Sequence, residues 1–395
     1  MTSTVRRFPW LIMIAVVLAA LMLRGPIVAV APVIDQISGD LGFSAAQAGA
    51  LTGIPVLCFA AFTPLALLLS RRVGPNVSLT IMLVGVIVGI VIRSLGDATA
   101  AFAGTIVIGA FIAIGNLVIP IIVRRDVDPL KAPLAIGIYT SALNVGSTAT
   151  SLATAPLEVG LGWRVAIAAS IVIGVIAIAA WMVAVGTRGA FVPQRSVVAE
   201  GEESPAVWGS LTAILLVLAF CGQAFSYYGV TAWLPSLLAD ELGYTAQQAG
   251  SGSSIFQVMA IVGALGIPFV ISRFGRIGAF VIAGAMWLAV PVGLLLAPDL
   301  WFVWSVLAGA AQGSGFTIVI SATIALAASS HHAGRLGAVV QAGGYLAAAT
   351  SPSILGAAHE ATGGWDLPLV CVLIALLVFI TAGVAASLRI RRATA

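Results

Sequence analysis

Apolar windows of ~18–25 residues recur twelve times along the 395-residue chain. Their approximate bounds are 10–34, 46–69, 78–95, 99–123, 133–156, 164–186, 208–237, 246–270, 278–297, 301–327, 334–357 and 366–388. A helix rises ~1.5 Å per residue, so each window is long enough to cross a hydrocarbon core of ~30 Å. Inside lipid every backbone N–H and C=O must find its partner within the protein, which makes such windows helices. Composition agrees. The chain is 61% hydrophobic and 8% charged, where a soluble domain carries ~25% charge. The expectation is an all-α membrane protein with twelve transmembrane helices and no sizeable soluble domain. The first window is far longer than the apolar part of a signal peptide and is read as a retained helix. Cys58, Cys221 and Cys371 lie in apolar runs and read as small core residues.

Basic residues set the orientation. With the N-terminus in the cytoplasm, Arg6, Arg7, Arg71, Arg72, Arg124, Arg125, Lys131, Arg188, Arg195, Arg273, Arg276, Arg335, Arg389, Arg391 and Arg392 all fall on that side. Asp40, Asp97, Glu158, Asp240, Glu241, Asp299, Glu360 and Asp366 fall on the other. Both termini are therefore expected to be cytoplasmic. The net charge of +4 follows from topology and does not imply a nucleic-acid partner.

The two halves repeat. Residues 41–49, LGFSAAQAG, match residues 242–250, LGYTAQQAG, about 200 positions on. Arg72-Val73-Gly74 matches Arg273-Phe274-Gly275, and Gly162-Trp163 matches Gly364-Trp365. The repeat is parallel, because the first and seventh spans both start inside. This predicts two six-helix bundles, residues 1–186 and 208–395, joined by a polar cytoplasmic linker, 187–207.

Arg24 is the exception inside the apolar runs. It sits ~20 Å along the first helix. A cation at the membrane midplane costs at least ~2.5–3.5 kcal/mol, so it must face protein or water. Two readings stay open: a binding group for an anionic ligand, or a structural group bonded to carbonyls freed at Gly25-Pro26. In the fifth span Thr140, Asn144, Ser147 and Ser151 share one face beside Tyr139. They line a cavity or let helices approach. Gln223 and Tyr227 are four apart on the seventh span, and so are Gln341 and Tyr345 on the eleventh. They form a polar wall or bond between helices. Asn116 faces the cavity or caps the break at Pro120, and Gln257 and Gln312 are weaker candidates. Arg93 and Arg164 are expected to pair with Asp97 or Glu158. Arg72, Arg124 and Asp126 are gating candidates, with membrane anchoring as the plain alternative.

No carboxylate is buried within the spans to carry protons. No phosphate-binding glycine loop and no nucleophile–base–acid set occur. The chain is not expected to be an enzyme or to hold a cofactor or metal.

The duplicated plan resembles the major facilitator superfamily. Leu23-Arg24-Gly25-Pro26-Ile27 with Val30-Ala31-Pro32 resembles the first-helix motif of the cyanate permease/2-nitroimidazole transporter family. So do Gly115-Asn116-Leu117-Val118-Ile119-Pro120 with Arg124-Arg125-Asp126, Gly137-Ile138-Tyr139-Thr140 and Gly162-Trp163-Arg164. The second half adds Gln223, Tyr227-Tyr228, Trp233-Leu234-Pro235, Gln341 and Gly344-Tyr345-Leu346-Ala347. The resemblance implies a multi-pass transporter of the bacterial inner membrane. It implies alternating access, a midplane site between the halves and a small anionic or nitro-substituted solute. Arg24, Asn116, Tyr139, Asn144, Gln223, Tyr227, Gln341 and Tyr345 would bind that solute, with a co-transported proton as a further partner and a monomer as the unit. Two departures stand out. Ser70 precedes Arg71-Arg72 where the superfamily usually carries Asp, and Gly25 stands where the family often has Pro. A drug efflux pump of the same fold and a non-transporting membrane sensor are the alternatives.

Overall fold

The computed structural model describes residues 9–43, 45–193, 210–244, 246–327 and 330–394. Most of the 187–207 linker, Arg6, Arg7 and Arg195, together with Ser44 and Thr245 of the repeat, lie outside these residues. So do the side chains of Ser151, Ala31, His331 and Arg392.

The described residues are helical, with no strand among them. The helices are α1 (Trp10–Val28), α2 (Ile34–Leu41), α3 (Ala45–Val73), α4 (Pro75–Leu95), α5 (Ala98–Asp126), α6 (Ala132–Ala168) and α7 (Ser170–Phe191). The second half contributes α8 (Leu211–Leu242), α9 (Ala246–Leu296), α10 (Trp301–Leu326), α11 (Ser330–Thr362) and α12 (Asp366–Thr394). Nine of the described helices are long and apolar enough to cross a membrane. The windows expected at 246–270 and 278–297 are one helix, α9, bent where Gly275 leaves the helical region at φ 68° and ψ 177°. The fifth window and the start of the sixth lie in α6, bent at Gly162 with φ 77° and ψ 159°.

Two compact units emerge. Unit 1 holds Met1–Ser204 together with Ala327–Arg335, and unit 2 holds Pro205–Leu326 and Leu336–Ala395. In unit 1, α1 packs on α6 and α7, and α5 packs on α3 and α4. In unit 2, α9 packs on α10, and α12 on α8 and α9.

The sequence repeat is a backbone repeat. Gly42 and Gly243 close α2 and α8 at φ 67° and φ 66°. Gly74 and Gly275 turn the chain at φ 83° and φ 68°. Only glycine enters these conformations without a Cβ penalty, which explains why both members of each pair are glycine.

Each unit ties one end with the same tryptophan–aspartate clasp. In unit 1, Trp163 Nε1 donates to Asp40 Oδ2 at 3.1 Å, and Arg164 Nη1 bonds the same oxygen. In unit 2, Trp365 Nε1 donates to Asp240 Oδ2 at 3.0 Å, with the His359 ring stacked on Trp365 at 4.1 Å. The unit 1 clasp covers a core of Val30, Val33, Ile37, Leu51, Ala101 and Ile167. The hydrogen bond from Arg164, then that from Trp163, holds the Asp40 carboxyl below its ordinary value. A carboxyl lowered by folding stabilises above its unfolded pKa of ~3.9, and that contribution is lost as pH falls through the lowered value. Asp40→Asn should therefore melt below the parent at neutral pH, with the gap closing below about pH 4. Melting curves across pH check this; a gap independent of pH would contradict it.

Candidate functional site

In unit 1, three of the expected site residues, Arg24, Tyr139 and Asn116, come together. Arg24 is the fifteenth residue of α1 and partly buried. Pro26, inside the same helix, removes a backbone donor. α1 and α6 touch almost backbone to backbone on either side of Arg24. A Cβ built at Gly25 would lie 2.7 Å from Thr150 Oγ1, and one at Gly146 would lie 2.8 Å from Leu21 Cα. This crossing fixes the height of Arg24 against α6. The Arg24 charge acts on the phenol of Tyr139, which is fully buried on α6. Tyr139 Oη donates to Asn116 Oδ1 of α5 at 3.4 Å. Asn144 Nδ2 donates to Thr140 O at 3.0 Å, which fixes the orientation of the amide. Asn144 Oδ1 is then a buried acceptor with no partner. The Thr140 hydroxyl turns back to Ile136 O at 2.8 Å, as hydroxyls do in membrane helices.

In unit 2, Gln223 is more committed than its place on the seventh span suggests. Its Nε2 donates to Gln312 O at 2.8 Å, and its Oε1 accepts from Trp287 Nε1 at 2.8 Å. The amide bonds α8, α9 and α10 together. Tyr227 Oη accepts from Gln257 Nε2 at 3.4 Å and its ring meets Tyr228 at 4.9 Å. Gln257 Oε1 and Gln312 Nε2 are buried without a partner. These two amides are the weaker candidates by sequence; Ser226 Oγ and Thr231 Oγ1 of α8 are likewise buried without a partner. Gln341 is buried, and Tyr345 stands edge-on to Phe220 at 5.5 Å.

The expected pairing of Arg93 and Arg164 is corrected. Asp97 caps α5, accepting from Ala100 N at 2.9 Å, and Arg164 pairs with Asp40. Arg93 is 2% exposed, with all three guanidinium nitrogens buried and unpartnered. At the opposite end of unit 1, Asp126 forms an ion pair with Arg125 at 2.6 Å, and Arg124 Nη2 donates to Ala327 O at 2.8 Å. Arg72 is exposed. Sequence reasoning missed the Asp40 clasp, whose signal is its recurrence at Asp240 and Trp365. It also missed Trp287, which shows no polar pattern along its helix.

Unit 1 by itself holds a cation, a phenol and an unfilled acceptor, and unit 2 by itself holds unfilled amide groups. Such sets bind small polar molecules with both electron-rich and N–H groups.

The family model of the Major Facilitator Superfamily matches residues 12–300 and 218–394. Among curated proteins, the chain is 33% identical to the 2-nitroimidazole transporter of Escherichia coli (strain K12), over 94% of each chain. It is 24% identical to the cyanate transport protein CynX of the same organism, over 91% of this chain and 94% of that one. Among solved structures it is similar to the proton:xylose symporter XylE, with a TM-score of 0.75 at 14% identity, over 98% of this chain and 95% of that one.

Proposed function

The chain belongs to the major facilitator superfamily and is a multi-pass membrane transporter, and from that premise we propose that it moves a small anionic or weakly acidic solute by alternating access. Arg24 is the group that binds the solute's electron-rich end. The observation that carries this reading is a cation well inside α1, set against α6 by the close crossing at Gly25 and Gly146, with the buried Tyr139 of α6 hydrogen-bonded to Asn116. Asn144 Oδ1 would take an N–H from a heterocyclic solute. Tyr227, Gln341 and Tyr345 of unit 2 are further binding candidates, and Gln223 ties α8, α9 and α10 together. The relatives named for 2-nitroimidazole and cyanate support a solute of this size.

We read α6 with α7, and α9, as two crossings each, divided at Gly162 and Gly275, and α11 as a further one, which supports twelve crossings; the arginine pattern supports cytoplasmic termini. In the described spans the acidic residues lie at the ends: Asp126, Glu158, Asp240, Glu241, Asp299 and Asp366. A proton, if moved, would then travel on a weakly acidic solute. Arg72, Arg124 and Asp126 remain gating candidates.

A thermal-shift screen of the purified protein tests the substrate class. Cyanate-like anions, small carboxylates and nitroimidazoles should raise the melting temperature, and lipophilic cations should not. A shift confined to the cations would overturn the reading in favour of drug efflux.

A further inference from the structure

The end of unit 1 that the arginine pattern assigns to the cytoplasm carries a second basic cluster, away from Arg24. The first turn of α11 seats between α3 and α5. A Cβ built at Gly334 would lie 3.0 Å from Ile121 Cδ1 and 3.6 Å from Leu67 Cδ1. Leu67 is one turn before Arg71, and Ile121 is about one turn before Arg124 and Arg125. This seating puts Arg335, next to Gly334, at the end of α3 that carries Arg71, one turn beyond Leu67. Arg335 acts electrostatically on both Arg71 and His332. Arg71 Nε is buried and has no partner, and His332 is 8% exposed. On the far side, Arg124 Nη2 donates to Ala327 O at 2.8 Å.

At this end of the packed elements the described charged side chains are Arg71 and Arg72 from α3, Arg124, Arg125 and Asp126 from α5, and His332 and Arg335 from α11, with His359 and Glu360 at the far end of α11. Asp126 is the one carboxylate among those at this end. It is spent on Arg125, which bonds both its oxygens at 2.7 and 2.6 Å. Like charges held together in a partly buried setting, with no free carboxylate among the described residues of these helices at this end, favour an anion.

We propose that Arg71, Arg335 and His332 form a binding site for a phosphate-bearing anion. Two guanidinium forks and an imidazole suit a tetrahedral oxyanion with several acceptor oxygens. Basic pockets between helices on the cytoplasmic side bind anionic lipid headgroups, and free phosphate offers the same chemistry. Burial, then the charge of Arg335, keeps His332 below its ordinary pKa. A bound anion opposes both effects and favours its protonation. Binding therefore takes up a proton and strengthens as pH falls.

The test uses full-length protein in detergent, titrated with phosphatidylglycerol, inorganic phosphate or phosphatidylcholine at about pH 6 and about pH 8. Wild type should bind phosphatidylglycerol more tightly at the lower pH. Arg335→Gln and the double variant Arg71→Gln/Arg335→Gln should bind it about tenfold more weakly, or worse, as charge-assisted bonds are lost. Inorganic phosphate competing at the same positions assigns the site to the free anion; failure to compete assigns it to the lipid headgroup. Native mass spectrometry of Arg335→Gln alone gives the result if the double variant does not fold. Equal binding by wild type and variants, or no preference for phosphatidylglycerol over phosphatidylcholine together with no binding of phosphate, overturns the proposal.

Discussion

Arg24→Ala should leave a folded, membrane-inserted protein whose affinity for its solute falls by about 10- to 100-fold. The magnitude follows from charge-assisted hydrogen bonds worth ~1.5–3 kcal/mol, at ~1.4 kcal/mol per tenfold. The helix itself should tolerate the change. Alanine is the best helix former, and removing a cation from within the membrane relieves a desolvation cost. Arg24→Lys should recover part of the affinity, because an ammonium keeps the charge but loses the planar fork. Isothermal titration of the two variants separates these cases. Loss of folded protein in both would mean that Arg24 is chiefly structural, tying together the chain around Gly25 and Pro26.

Gly263→Val should cost most of the folded protein. A Cβ at Gly263 would lie 1.7 Å from Ala310 O and 2.5 Å from Ala310 C. Those are backbone atoms, so no rotamer change relieves the clash and α9 must move off α10. Across the same crossing, Gly313 faces Ala260 O at 2.0 Å and Gly309 faces Phe256 O at 2.5 Å. The contact is thus a row of small residues that lets two membrane helices approach closely. Overpacking typically costs ~1–3 kcal/mol, and a backbone clash belongs at or above the top of that range. Gly266→Ala is the control, because nothing lies within 4 Å of a Cβ there. It should melt at or slightly above the parent, since alanine favours the helix by ~1 kcal/mol. Equal yields of monodisperse Gly263→Val and parent protein from detergent would contradict this account of the crossing.

The helical fold and its duplication were legible because membrane helices write themselves as long apolar runs and because turns demand glycine. Leu41-Gly42 and Leu242-Gly243 repeat in sequence and adopt the same left-handed turn. The boundaries were less legible. A glycine that leaves the helical region, as at Gly275, bends α9 without ending its run of helical neighbours. At the site, helical spacing put Gln223 and Tyr227 on one face, but it could not say what that face meets. These helices are apolar on almost every side, so periodicity gives no inward direction. Gln223 turned out to bond Trp287 and Gln312, while Gln257, Gln312 and Ser226 are among the residues with unfilled polar atoms. Arg93 and Asp97 stand four apart, as a helical ion pair would. Asp97 instead caps the next helix, because four unpaired N–H groups at a helix start compete for the same carboxylate.

Solute counterflow in proteoliposomes puts the central claim to the most direct test. Wild-type protein preloaded with a small unlabelled anion should accumulate the labelled anion transiently. Arg24→Ala, reconstituted at the same density, should not. Undiminished counterflow in Arg24→Ala would contradict anion recognition by Arg24.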